Sequence, residues 1–320
     1  MNRFNLRIAV LIPCYNEEIA IAAVVRDFRA ALPEATVFVF DNNSRDKTVE
    51  VATAAGALVR RVRAQGKGNV VRRMFSDVEA DIYVLVDGDD TYDASSARRM
   101  VQRLLQENLD MVVSRRISQE TAAYRRGHRL GNWLLTECVA RLFGREFSDI
   151  LSGYRVFSRR FVKSFPALAT GFEIETELTV HALELRMPIE EVDAPYKSRP
   201  EGSLSKLNTY RDGVRILWTI LKLFRQERPL AYFGGLSATL ALMSLAFMFP
   251  LLLTYLQTGL VPRLPTALLS TALMLTAFLS LACGLILDTV TRGRQEMKRL
   301  AYLQIAPPQV EPRAEPRVER

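Results

Sequence analysis

Cysteine is scarce: the 320 residues hold only Cys14, Cys138 and Cys283, far apart and with no CxxC pair. That excludes a disulfide framework and a zinc site of the finger kind, and leaves the three as expected buried hydrophobes. No secretory leader is expected either. Arg3 and Arg7 precede "IAVLIP", but this apolar run is too short for a leader core and leads into the polar "CYNEE". The first domain is therefore expected to stay in the cytoplasm. Charge is missing altogether from two long stretches, since no Asp, Glu, Lys or Arg occurs from Pro229 to Pro262 or from Leu264 to Leu287. Each exceeds the about 20 apolar residues that cross a bilayer. Only Arg263 parts them, so residues 229–288 read as a transmembrane hairpin with a short outer turn. A buried core helix is the alternative for one such run and suits two consecutive ones poorly. Lys222, Arg225 and Arg228 lie before the first span, and Arg292, Arg294, Lys298 and Arg299 after the second, which puts both flanks on the cytoplasmic side.

What is present is basic. A net charge of +8 and a pI near 9.6 suit an anionic partner: nucleic acid, lipid headgroups or phosphorylated substrates. Just before the first span, "TYRDGVRILWTILKLFRQ" sets Val214, Leu217, Trp218, Leu221 and Phe224 on one helical face and Arg211, Arg215, Lys222 and Arg225 toward the other. Such a helix, 209–228, suits a headgroup layer, or else packs on the preceding domain. The tail "APPQVEPRAEPRVER" alternates proline with charge and is expected to be disordered, so 289–320 reads as a basic cytoplasmic segment and tail.

Residues 1–208 alternate strand-like with helical runs: "RIAVLIP", "EEIAIAAVVRDFRAAL", "TVFVFD", "DKTVEVATAAG", "ALVRRV", "GNVVRRMFSDV", "DIYVLVD", "SSARRMVQRLLQE", "LDMVVS". The alternation predicts an α/β domain with a mostly parallel sheet, whose ligands bind beyond the carboxyl ends of the strands. The loops there are "CYNEE" after the first strand, "DNNSRDKT" after the second and "DGDDTYD" after the fourth. The last packs Asp87, Asp89, Asp90 and Asp93 into seven residues. Like charges so close are unfavourable unless water or a hard cation sits among them, so the loop is either a solvated turn or a Mg²⁺-type site. Asn16 and Glu17 have the alternative of capping the next helix, and Asp41 that of forming an Asx turn. "QGKGN" has neither Walker nor dinucleotide spacing. The arginines 115, 116, 125, 126 and 129 form either an exposed face or a phosphate clamp.

Together "LIPCYNEE", "DNNSRDKT", "GKGNVVRRMF" and "DGDDTYD", in this order and spacing, resemble family 2 glycosyltransferases of the GT-A fold. With "DILSGYRVF", "GFEIETEL", "EGSLSKL" and two C-terminal spans, the likeness is to polyprenyl-phosphate glycosyltransferases. Dolichol-phosphate mannose synthase and the bacterial enzymes that make undecaprenyl-phosphate sugars are among these. The resemblance covers about residues 6–210. It implies metal-dependent, inverting transfer of a sugar from a UDP- or GDP-hexose to a polyprenyl phosphate at the cytoplasmic membrane face, with Mg²⁺ or Mn²⁺ as cofactor. Asp89 would be the direct metal ligand, and Asp87 would act on metal-bound water or the ribose. Asp93 lies where some relatives carry another metal or phosphate contact. Pro13 and Tyr15 would rest against base and ribose, Glu17 on ribose hydroxyls, Asp41 on the base and Lys67 beside the nucleotide. Arg115 and Arg129 would hold the acceptor phosphate, and Arg199, Ser203, Ser205 and Lys206 would belong to a loop closing over diphosphate and acceptor. Asp149, Glu173 and Glu175 would orient, with Glu173 and Glu177 alternatively decorating a helix. The implied partners are nucleotide-sugar donor, polyprenyl phosphate and bilayer, with room for a homo-oligomer.

A lipid monophosphate, with a second pKa of about 6, is already largely an anionic nucleophile at neutral pH, whereas a hydroxyl acceptor needs a general base. The main rival within the chemistry is a processive polysaccharide synthase using a hydroxyl acceptor. Those relatives carry QxxRW, and this chain has "QERP" at 226–229 and no RW pair. A nucleotide-binding scaffold without turnover would show a broken acidic or arginine motif. Nucleic-acid binding would also explain the charge, but the basic residues flank the apolar spans and no recognition module is present, so no nucleic-acid partner is expected.

Overall fold

The computed structural model describes residues 6–117, 149–200, 202 and 209–308. The chain divides into two compact units, one of residues 1–220 with 298–320 and one of residues 221–297. The tail beyond residue 308, Cys138 and the arginines 125, 126 and 129 lie outside the described residues.

The larger unit is built on a seven-stranded sheet. Its elements are β1 (Ile8–Cys14), α1 (Ile21–Ala31), β2 (Thr36–Asp41), α2 (Thr48–Ala54), β3 (Leu58–Arg61), α3 (Lys67–Asp77), β4 (Ile82–Leu85), α4 (Ser96–Gln106), β5 (Met111–Ile117), β6 (Arg155–Ser158), α5 (Arg159–Ser164), α6 (Ile174–Leu185) and β7 (Ile189–Pro195). Central strands are buried on both faces, which is why "IAVLIPC" and "IYVL" are apolar without alternation. Ile8, Val10 and Ile12 of β1 pack with Val24, Phe28, Met100 and Leu104 from α1 and α4. Ala9 and Leu11 face the other way, onto Val71, Met74 and Leu178 from α3 and α6. Helix α1 buries Ile21, Val24, Val25 and Phe28, the spacing of one helical face.

Strand order is β3-β2-β1-β4-β6-β5-β7. From β1 the chain runs outward to β2 and β3, then crosses to place β4 on the other side of β1. That reversal opens a crevice between the carboxyl ends of β1 and β4, the place where open α/β sheets take ligands. The sheet is mostly parallel, as expected, but β6 runs antiparallel to both β4 and β5. All four β6 residues are buried, Arg155 among them. Its guanidinium donates to the carbonyls of Ser152 and Ile150 and to Thr179 Oγ1, tying the 150–152 loop to α6. Burial lowers its pKa to about 10.

Residues 298–308 belong to the same unit, and not merely to a basic tail. Lys298 Nζ lies 2.6 Å from Glu184 Oε2, Tyr302 donates its hydroxyl to Asp110 Oδ2 at 2.8 Å, and Arg160 stacks over the Tyr302 ring.

Beyond the sheet the chain forms α7 (Thr209–Glu227), α8 (Pro229–Thr258) and α9 (Leu264–Leu303). Val214, Leu217, Trp218 and Leu221 of α7 are exposed, as an amphipathic helix at a headgroup layer requires. Helix α8 has 30 residues, about 45 Å at 1.5 Å per residue, and ends on Gly259 in the left-handed conformation before the short turn to α9. Within the smaller unit, Ser244 Oγ donates to the Ser270 carbonyl and Ser270 Oγ to that of Ser244, at 2.7 and 3.0 Å. Ser280 Oγ donates to the Phe233 carbonyl. Small hydroxyl residues joining apolar helices are the pattern of packing in lipid. Only 11% and 22% of the most apolar windows of α8 and α9 are buried, whereas a soluble core helix would be mostly enclosed. Cys14 is buried, but Cys283 is exposed on α9, contrary to its reading as a buried hydrophobe, because its helix face turns outward with Leu279 and Ile286.

Candidate active site

Three strand ends build the crevice. After β1, Asn16 adopts a left-handed backbone (φ 54°), donates its N–H to Ser44 Oγ and accepts from the Arg45 N–H, so the first two loops lock together. Glu17 N–H donates to Thr48 Oγ1. The turn into α1 is closed by the Glu17 carbonyl, not by its carboxylate. Asp41, at the end of β2, is buried and accepts from the Ser44 N–H three residues on. Its neighbour Asn42, absent from the sequence-based candidates, donates to the Val62 and Ala64 carbonyls and accepts from the Gly66 N–H at 2.7 Å. Asn42 thereby fixes the start of α3 relative to β2.

That start explains "GKG". A Cβ on Gly66 would strike the Thr170 carbonyl and one on Gly68 the Ala169 carbonyl, while Gly66 also has φ +124°. The glycines let the 167–171 loop lie directly on the first turn of α3. Glu177 holds that loop by accepting the Leu168 and Ala169 N–H groups, and Glu173 accepts those of Thr170 and Gly171. Glu173, expected to orient substrate, uses Oε1 to cap this loop, and Glu177 does not decorate a helix surface but is buried.

Between the glycines stands Lys67, whose Nζ bridges Asp87 Oδ1 and Glu175 Oε1, each at 2.5 Å. Burial pulls its pKa down, but the two carboxylates outweigh that and hold it well above the usual lysine value. Glu175 is raised by burial, with Lys67 opposing. Across the crevice Arg199 Nη2 lies 2.5 Å from Asp89 Oδ2, and Arg199 Nη1 lies 3.9 Å from Glu17 Oε1. Asp89 also accepts from Thr91 Oγ1 at 2.6 Å. Asp90 pairs with Lys197 at 2.8 Å, and Asp93 accepts from Ser95 N–H and Ser96 Oγ at the head of α4, a capping role. Gly153 comes so close to the Asp87 carboxylate that a Cβ there would collide with it.

Burial raises the Asp89 pKa, and the like charge of Asp87 raises it further. A divalent cation would relieve that repulsion, and two carboxylates suit Mg²⁺ or Mn²⁺ when water and substrate phosphates supply the remaining ligands. Among the described residues no group of three or more acidic, histidine or cysteine side chains converges in metal-binding geometry. The Asp87–Asp89 pair, two hard oxygen donors crowded by like charge, fits the chemistry of the expected metal.

The glycosyl transferase family 2 profile matches residues 9–165. Glycosyltransferase AglJ of Haloferax volcanii is 36% identical over 230 residues, 71% of this chain and 75% of that protein. The chain belongs to glycosyl transferase family 2. A second family relative, the dolichyl-phosphate hexose transferase of the same organism, is 28% identical over 222 residues, covering 69% of this chain and 95% of that one. In fold, this family 2 glycosyltransferase is similar to the Mycobacterium tuberculosis glucosyl-3-phosphoglycerate synthase solved with Mn²⁺, UDP-glucose and phosphoglyceric acid. That match has a TM-score of 0.58 and 24% identity, over 69% of this chain and 80% of the other.

The remaining candidates of this family 2 enzyme divide. Pro13 and Tyr15 are half-buried at the end of β1. Arg115 forms an exposed ion pair with Asp193, its partner in the β5–β7 ladder, and is not gathered with the crevice groups. Arg116, one residue on and so on the other strand face, donates to both oxygens of buried Asp149 at 2.6 and 2.7 Å and stacks on Tyr196. Arg129, Ser203, Ser205 and Lys206 lie outside the described residues.

Proposed function

We propose that the crevice binds a nucleoside diphosphate sugar and that the enzyme transfers its glycosyl group to a polyprenyl phosphate at the membrane face. The observation that carries the donor half is the convergence of Lys67, Asp87, Asp89 and Arg199 at the reversal of strand order, with Asp41 at the end of the adjoining β2. Asp87 and Asp89 would hold Mg²⁺ or Mn²⁺, which when bound neutralises the departing diphosphate. Lys67 and Arg199, each resting on one of these carboxylates, are the cations placed to turn to the diphosphate oxygens. A phosphate oxygen of the acceptor bonds to the anomeric carbon, the bond from that carbon to the diphosphate breaks, and the nucleoside diphosphate leaves with the electron pair. No proton need be removed, so positioning and charge stabilisation supply the rate. The lipid acceptor is supported by the exposed apolar surfaces of α8 and α9, proposed as spans with the catalytic unit on the cytoplasmic side, and by the likeness to a dolichyl-phosphate hexose transferase.

A hydroxyl acceptor is the second reading, and the solved structures of like fold stand on its side, since phosphoglyceric acid offers a hydroxyl. That reading requires a base. Asp149 is the buried carboxylate for it, although Arg116 holds both its oxygens in this state. The deciding experiment incubates purified protein and Mn²⁺ with a panel of labelled UDP- and GDP-sugars, given polyprenyl phosphate or hydroxyl-bearing glycolipid. Label in polyprenyl phosphate from one donor, lost with chelator and in Asp89→Ala, is the expected result. Label only in the hydroxyl acceptor would replace the first reading by the second.

A further inference from the structure

Within the smaller unit, where α7 breaks into α8, lies a cavity of about 340 Å³ lined by Arg225, Pro229, Phe233, Leu287, Val290 and Arg294, together with Gln226 and Thr291. Its walls are of two kinds. Phe233, Leu287 and Val290 are apolar, whereas Arg225 and Arg294 bring two guanidinium groups to the same space. Its polar neighbours are mostly engaged: Thr291 Oγ1 and Arg294 Nη2 both donate to the Gln226 carbonyl, and Arg294 Nη2 also pairs with Glu227 at 2.9 Å. Among the described residues, Arg294 Nε is a buried N–H with no acceptor. A buried guanidinium edge without a partner is costly, and a planar oxyanion acceptor beside it removes the cost. Nearby, α8 opens on Pro229 with no side-chain cap from Arg228.

Position along the chain sets the depth. Pro229 begins one charge-free run and Leu287 ends the other, so the cavity sits where both apolar helices meet their basic flanks. In a bilayer that level holds lipid phosphates. We propose that this cavity binds the phosphate headgroup of an anionic phospholipid, with Arg225 and Arg294 on the phosphate and Phe233, Leu287 and Val290 against the first methylenes of its chain. The inference rests on α8 and α9 lying in a bilayer and is independent of which acceptor the catalytic unit uses.

Native mass spectrometry of the full chain in detergent, given phosphatidylglycerol or phosphatidylcholine at equal concentration, tests it. Phosphatidylglycerol is expected to be retained at least tenfold better. Arg225→Gln and Val290→Trp, which remove charge and space by separate routes, should each abolish the preference, while Arg263→Gln in the turn between the helices should leave it intact. Arg294 is not varied because Glu227 depends on it. Equal retention of both lipids, survival of the preference in both cavity variants, or its displacement by millimolar inorganic phosphate would each overturn the proposal. Stronger retention of polyprenyl phosphate than of phosphatidylglycerol, abolished by the same variants, would overturn the assignment to phospholipid. A chain that stays in solution without detergent would sink the bilayer placement itself, an outcome separable from mere failure to retain lipid.

Discussion

A carboxylate buried beside another of the same sign destabilises the fold that holds it, and Asp89 beside Asp87 is such a case. Removing its charge should therefore uncouple stability from activity. Asp89→Asn is expected to lower sugar transfer by at least about a hundredfold while leaving the melting temperature equal to or above that of the parent, because Arg199 is exposed enough to turn to water. Parallel thermal denaturation and label transfer read the two effects, and a variant that loses both would show Asp89 to be structural. His181 makes the opposite case, a base that burial keeps neutral. Enclosed by Phe161 and Phe165 with Ser164 Oγ on Nε2, it has its pKa pushed down to about 3. The unfolded chain takes up that proton near pH 6.5 and the folded one does not until about pH 3, so the fold loses stability as pH falls between them. The slope is about 1.4 kcal/mol per pH unit for this one group. His181→Leu should flatten the pH dependence of stability by that amount below pH 6.5, and an unchanged slope would refute the assignment.

At the scale of elements, the site depends on how closely the first turn of α3 meets the 167–171 loop. Gly68→Ala would push a methyl into the Ala169 carbonyl, whose peptide plane is held through the Thr170 N–H by Glu173 Oε1. A loss of about 1–3 kcal/mol is expected, with weaker binding of the nucleotide sugar because Lys67 shifts with the turn. Calorimetric titration with donor and denaturant unfolding check both parts. This contact also marks what the sequence does and does not disclose. The strand-end loops were legible because apolar runs stop abruptly at "CYNEE", "DNNS" and "DGDD", a local signal. The job of Glu173 was not, since the N–H groups it accepts belong to a loop whose seat is set by glycines about a hundred positions earlier in the chain. Adjacent Arg115 and Arg116 teach the same lesson. Which of them turns toward Asp149 depends on the register of β5 against β7, a pairing of Arg115 with Asp193 that no local pattern encodes. The antiparallel entry of β6 was equally hidden, because a four-residue buried strand carries no directional mark.

At the scale of the whole molecule, the chain returns to its catalytic unit after the apolar helices. Residues 298–308 pack on it, with Lys298 against Glu184 and Tyr302 against Asp110. The Glu184 side chain is 4% exposed and that of Lys298 14%, so neither charge can turn fully to water if the other is removed. Asp110 is still more enclosed, and it already serves Ser158 Oγ and Arg160 besides Tyr302. Losing Tyr302 therefore leaves it other partners, whereas losing Lys298 removes the cation that lies 2.6 Å from the enclosed Glu184 carboxylate. Lys298→Met is accordingly expected to destabilise the catalytic unit on the order of 2 kcal/mol, and Tyr302→Phe by only about 1 kcal/mol. The difference can be measured by urea unfolding in detergent, followed through the fluorescence of a label on the catalytic unit. If both variants matched the parent, the C-terminal segment would contribute nothing to that unit's stability. If Lys298→Met alone fell, the fold of a site made by the first two hundred residues would depend on a side chain supplied only after both apolar helices are complete.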